Sequence, residues 1–149
     1  MKRYVIMAAA LAVLASCASM DAARDEGDAR WLGDLMAAGN AAELVRSSSA
    51  PFLLDGEIVA LAADVAAFWE SAVKADLGMQ GLKLAAVVPA AGDGYKEFAD
   101  TFDVKTFFPK YAGKDARILR IVFASGKRML VIVGTEGFSR KIYGFRGPF

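Results

Sequence analysis

The spacing of apolar residues changes once along this chain, and that change narrows the folds open to it. In the first half, Trp31, Leu32, Leu35 and Met36 recur at helical spacing and Gly39 supplies a stop. Val65, Phe68, Trp69, Ala72 and Val73 mark one face of another helix, with Asp64 as its N-cap and Gly78 as its stop. From Leu82 onward the period is that of strands. They are expected at Lys83–Val88, Phe102–Phe108, Arg117–Ala124, Met129–Gly134 and Arg140–Phe145. Pro89 and the Gly92-Asp93-Gly94 loop end the first, and Pro109 ends the second. Ser125-Gly126 and Glu136-Gly137 fall at the turns of the last three. Helices followed by antiparallel strands predict an α+β domain, with N-terminal helices on one face of a sheet.

Local signals fill in the rest. Asn40 with Glu43 three residues later is a capping arrangement for a short helix to about Arg46, and Ser47–Pro51 breaks it. Asp55-Gly56 between Phe52-Leu53-Leu54 and Glu57-Ile58-Val59 reads as a hairpin. Val131, Ile132 and Val133 are apolar in succession, so both faces of their strand are expected to be covered. One face meets the helices, and the other lines a cavity or a subunit contact.

Residue types exclude several chemistries. The chain has no histidine, which removes histidine triads and histidine zinc sites. Its one cysteine, Cys17, permits no intrachain disulfide and no cysteine metal cluster. Neither a phosphate-binding loop nor a dinucleotide glycine fingerprint is present. No cofactor or metal is expected. Residues 21–70 hold ten acids and three bases, whereas residues 104–149 hold two acids and ten bases. Either the halves neutralise each other in the fold, or the second presents a basic face to anionic lipid, glycan or a partner protein. The near-neutral total argues against nucleic acid.

The N-terminus carries an address. Lys2 and Arg3 precede an apolar run from Tyr4 to Ala15 that is too short to span a bilayer, and Leu14-Ala15-Ser16-Cys17 follows. This resembles a bacterial lipoprotein signal. The resemblance implies that residues 1–16 are removed, Cys17 is lipidated, residues 17–27 form a tether and residues 28–149 form one domain. Asp21–Ala29 reads as that tether or a frayed helix start. Ala18 and Ser19 follow the cysteine where an aspartate would favour inner-membrane retention, which implies the outer membrane if the cell has one.

The order of elements resembles the nuclear transport factor two-like superfamily, a curved antiparallel sheet wrapped as a cone around helices. The matching features are the helix Trp31–Ala38, the segment Pro51–Ile58, the helix segment Asp64–Trp69 and the C-terminal three-strand meander. Superfamily members include isomerases, hydratases and interaction domains, so the resemblance does not assign an activity.

Three constellations carry the candidate chemistry. Asp55 and Glu57 lie two apart, so on a strand they share a face and one can hold a proton; at a turn they are solvated acids. Trp69, Tyr95, Phe107, Phe108, Tyr111 and Tyr143 either pack the core or line the open side of a cone, Trp69, Tyr95, Phe107 and Tyr143 being the leading pocket candidates. Arg117, Arg120, Lys127, Arg128, Arg140, Lys141 and Arg146 supply positive charge, but Arg117 and Arg120 point to opposite faces and break a continuous stripe. Enzymes of the isomerase kind in the superfamily pair an acidic base with a tyrosine or protonated acid. By residue type alone, Asp100 or Asp103 with Tyr143 would fill those parts. The leading expectation is a lipid-anchored envelope protein that binds a partner protein or a small apolar ligand without catalysis. The alternatives are a small lyase or isomerase using a carboxylate and a tyrosine in the cone pocket, and a subunit that dimerises through its sheet face.

Overall fold

The computed structural model describes residues 20–75, 77 and 79–149, together with the backbone of residues 2–19. The expected stop at Gly78 and the side chain of Cys17 lie outside the described residues. Helix α1 spans Lys2–Ala37, α2 Ala41–Ser47 and α3 Ala62–Lys74. Strands β1 (Ser48–Leu54) and β2 (Glu57–Val59) form the hairpin expected at Asp55-Gly56, whose residues take φ values of 50° and 96°. Both angles lie in the left-handed region that a two-residue turn requires. The chain continues through β3 (Lys83–Pro89), a 3-10 helix (Gly92–Glu97), α4 (Phe102–Tyr111), β4 (Arg117–Val122), β5 (Arg128–Glu136) and β6 (Ser139–Arg146).

The six strands form one curved sheet in the order β2-β1-β6-β5-β4-β3. All neighbours are antiparallel except β1 and β6, which run parallel. The sheet is therefore mixed, where a purely antiparallel one was expected. The fold is α+β, with N-terminal helices packed on this sheet, consistent with a nuclear transport factor two-like cone. Among the described residues no helix is long and apolar enough to cross a membrane.

The helical face holds the first core. Trp69 and Phe52 are fully buried, and Phe145 packs edge-on to Trp69 at 5.6 Å between ring centres. Trp69 also donates its Nε1 hydrogen to Ser48 Oγ at 2.7 Å, so its one polar atom is satisfied in an apolar setting. Asn40 caps α2 through Glu43 N at 3.1 Å, as its spacing predicts. Leu61 occupies the N-cap position of α3, three residues before the expected Asp64, which lies inside the first turn and complements the helix dipole there.

The largest correction is Phe102–Phe108, expected as a strand and found as helix α4. Thr101 caps it, its Oγ1 accepting from Val104 N at 3.3 Å. Val104, Phe107 and Phe108 stand at the i, i+3, i+4 spacing of one helical face, and all three are buried. That face lies in a second core with Leu53, Ile118, Leu130, Ile132, Tyr95 and Phe98, on the far side of the sheet. Val131, Ile132 and Val133 are covered on both faces as expected, but the chain's own α4 and 3-10 helix do the covering. The cavity or subunit contact expected on that face is replaced by a filled core.

A second correction concerns residues 17–27. Helix α1 runs through the expected tether without a break, and Asp25 is 7% exposed and Asp28 5% exposed. Both are held by Arg117, whose Nε lies 2.5 Å from Asp25 Oδ1 and whose Nη2 lies 2.6 Å from Asp28 Oδ2. A paired carboxylate on α1 at position 25 draws the folded domain three residues past its expected start.

Candidate functional site

The carboxylates singled out by residue type do not meet in a buried pocket. Asp55 is exposed at its turn, and its Oδ1 accepts from Gly147 N at 2.8 Å, tying the hairpin to the C-terminal segment. Glu57 is exposed on β2. Asp100 and Asp103 are exposed at the start of α4, where Asp103 faces the positive end of the helix dipole. Of the four leading pocket residues, Trp69 and Phe107 are fully buried in different cores and line no cleft, a correction to the expected shared cavity. The sheet separates the two: Trp69 packs with the N-terminal helices and Phe107 with α4.

Tyr143 and Tyr95 do reach clefts, on either side of the end of α4. Tyr143 borders a cleft of about 290 Å³ with Tyr111, Glu136, Lys141 and the start of β1. Its hydroxyl donates to Thr135 O at 3.5 Å, the long limit of a hydrogen bond. Burial pushes the phenol's pKa above its usual value, and the carboxylates of Asp115 and Glu136 push it the same way. The phenol is therefore a neutral donor at ordinary pH. Asp115 is the carboxylate beside it, and it is already engaged: Thr135 donates its Oγ1 hydrogen at 2.7 Å and its N–H at 3.3 Å. Burial raises the Asp115 pKa, but the hydrogen bonds from Thr135 and the nearby Arg117 charge outweigh it, and the net shift is downward. A carboxylate held anionic this way is a poor proton carrier near neutrality.

The Tyr95 cleft has a different character. It encloses about 350 Å³, floored by Tyr95 and Phe108 and edged by Lys105, Pro109 and Lys114. Tyr95 is 7% exposed. Lys105 Nζ stands 5.8 Å from the centre of the Tyr95 ring. Neither Lys105 nor Lys114 forms an ion pair among the described residues. An apolar floor with two uncompensated ammonium groups at its edge suits a ligand with an apolar body and an anionic head.

The positive charge of the second half is largely neutralised within the fold. Arg117 and Arg140 converge on Asp28 from β4 and β6, Arg140 Nε at 2.7 Å. Arg120, on the opposite face of β4 as its spacing requires, pairs with Glu97, and Lys141 pairs with Glu136 at 3.2 Å. Arg146 donates to Phe98 O at 2.7 Å and stacks over Phe149. Lys127 and Arg128 remain exposed near the turn between β4 and β5. Among the described residues no group of three or more acidic or cysteine side chains is arranged to hold a metal ion.

Residue-type reasoning missed Asp25, Asp28, Asp115, Lys105 and Lys114. Asp25 and Asp28 stand at i, i+3 on α1, a spacing legible as one helical face once that helix is extended. Lys105 and Lys114 carried no signal while α4 was read as a strand. No protein-family model, no curated protein and no solved structure matches this chain.

Proposed function

We propose that this chain is a lipid-anchored protein of the bacterial cell envelope, bound through Cys17 and directed to the outer membrane, whose domain belongs to the nuclear transport factor two-like superfamily. We further propose that it binds without catalysis, taking a small apolar ligand with an anionic head in the Tyr95 cleft. The observation that carries the binding reading is the pairing of an aromatic floor with Lys105 and Lys114, which form no ion pair among the described residues. Support for the anchor comes from the Leu14–Cys17 motif after a short apolar run.

The enzyme alternative loses its leading residues. Asp55, Glu57, Asp100 and Asp103 are exposed, and the carboxylate beside Tyr143 is instead Asp115, whose lowered pKa suits structure better than proton transfer. A dimer through the second sheet face loses its surface to α4.

The test is native mass spectrometry of the mature protein with decanoate as probe. One bound decanoate is expected, with about fivefold weaker retention in Lys105→Ala/Lys114→Ala, the effect of ~1 kcal/mol. Retention that ignores both lysines, or no retention at all, would remove this cleft as the binding site.

A further inference from the structure

We infer that the domain stands end-on against the bilayer, with the tip of the β5–β6 hairpin, Phe138, entering the apolar layer and Lys110 and Lys114 lying among anionic headgroups. This rests on the proposed lipid anchor at Cys17.

The geometry follows from which end of the sheet α1 leaves. At Asp25 and Asp28 the helix lies beside Arg117, the first residue of β4, and Arg140 near the start of β6. Further along, at Gly33, it meets Leu82, where an added Cβ would come 3.0 Å from Leu82 Cδ1. Since Lys83 pairs with Val122 and Pro89 with Arg117, Leu82 and Arg117 stand at opposite ends of the sheet. The N-terminal part of α1 therefore points outward past the Arg117 end. Cys17 is eight residues before Asp25, ~12 Å at helical rise.

The β5–β6 hairpin points out of the same end. Arg117 pairs with Val133, and the hairpin runs on through Glu136 paired with Ser139. Phe138 lies in the turn, about four residues of rise beyond Val133, ~13 Å in extended chain. It thus reaches a height comparable to that of Cys17. Its ring is fully exposed, whereas the domain buries its other β5 and β6 aromatics and aliphatics. The hairpin is also braced against α1: Arg140 binds Asp28 and lies over the Trp31 ring at 5.4 Å. The tip and the anchor are therefore fixed relative to each other.

Charge at this end fits the same occupant. Helix α4 finishes beside the start of β1, where Tyr111 and Ser48 share a cleft with Tyr143; Lys110 lies in its last turn and Lys114 just beyond it. Both lysines are exposed and neither forms an ion pair among the described residues. Ammonium groups at that height complement anionic lipid headgroups. Phe102 and Phe149 are also exposed but stand toward the opposite end, near the β1–β2 turn and Arg128 respectively.

The experiment uses the full chain, processed in bacteria and reconstituted in phosphatidylethanolamine–phosphatidylglycerol vesicles. The chain has a single cysteine, so a lipidated Cys17 leaves any introduced cysteine as the one free thiol. Phe138→Cys, Phe102→Cys and Phe149→Cys are each labelled with an environment-sensitive fluorophore and exposed to spin-labelled lipid. The inference expects a blue shift and loss of emission at position 138, neither at 102 or 149, and a smaller loss at 138 in Lys110→Glu/Lys114→Glu. Equal quenching at all three positions, quenching at none, or no change with the lysine pair would overturn it while leaving the anchor intact. Labelling of Cys17 in the unsubstituted chain would instead show that the anchor is absent and remove the basis of the inference.

Discussion

Arg117 and Asp28 are 89 residues apart and meet at 2.6 Å, Nη2 to Oδ2, with both side chains at most 10% exposed. The contact joins the acidic first half of the chain to its basic second half. Asp25 occupies the Nε of the same guanidinium, and Asp115 O takes its Nη1 at 3.1 Å. Arg140 shares Asp28 from the neighbouring side. Every carboxylate here thus has a hydrogen-bonding partner, the condition under which buried charge is tolerated.

Removing Asp28 takes a carboxylate from both Arg117 and Arg140. Asp28→Ala is expected to destabilise the domain by ~3–5 kcal/mol, because the buried Arg117 guanidinium loses one of its two close carboxylates and the half-exposed Arg140 loses its own. Urea denaturation of the mature protein measures it. A loss below ~1 kcal/mol would mean that water replaces the carboxylate freely.

The polar pair at the end of α4 makes stability depend on pH at both extremes. The lowered pKa of Asp115 means its contribution is present above the unfolded value, ~3.9, and disappears as pH falls through the folded one. Tyr143 behaves oppositely: its raised pKa makes the folded state hold the proton longer, so stability falls as pH rises above ~10. Thermal melts of Asp115→Asn should show a shallower acid limb, and those of Tyr143→Phe a shallower alkaline one. Unchanged limbs in both variants would disconnect these groups from stability.

Two phenylalanines separate folding from surface function. Phe107→Ala empties the centre of the second core and is expected to cost ~3–5 kcal/mol. Phe138→Ala touches an exposed ring and should alter stability by less than ~0.5 kcal/mol. Comparable losses in the two would mean that the hairpin tip is buried in solution, as by a second copy.

Gly94 shows how tightly the 3-10 helix sits on β3. An added Cβ would lie 2.4 Å from Pro89 O, a backbone atom that cannot swing aside. Gly94→Ala should therefore displace the 3-10 helix at a cost of ~1–3 kcal/mol, and weaken decanoate binding through Tyr95 in the same element. Wild-type stability and affinity in this variant would show that the segment relaxes without strain.

Much of the fold was legible because local chemistry decides it. Asn40 with Glu43 caps α2 wherever the helix lies, and Asp55-Gly56 closes a hairpin through backbone angles that glycine and aspartate accept most readily. The alternation of β4, β5 and β6 survives because each strand has two distinct faces: Leu119 and Ile121 meet the helices while Ile118 meets α4. Even the opposed directions of Arg117 and Arg120 follow from that period. The segment Phe102–Phe108 was not legible in this way. Val, Thr and Phe suit a strand, and the same seven residues place Val104, Phe107 and Phe108 on one side of a helix. What decides between them is the outer sheet face, where Ile118, Leu130 and Ile132 need a cover that only this stretch supplies.

The candidate site divides along the same line. The sequence by itself determined which chemistries are open, through the missing histidine and the single cysteine, and it supplied the Leu14–Cys17 motif on which the proposed address rests. It also determined that Tyr95, Tyr143 and the basic residues of the second half were worth watching. Tertiary structure alone decided that Trp69 and Phe107 fall in separate cores, that Asp25 and Asp28 consume Arg117, and that Lys105 and Lys114 border one aromatic floor. The physical reason is range. Caps, turns and periodicities act over a few residues, whereas a buried ion pair or a cleft is made by groups that the chain's topology brings together from far apart in sequence.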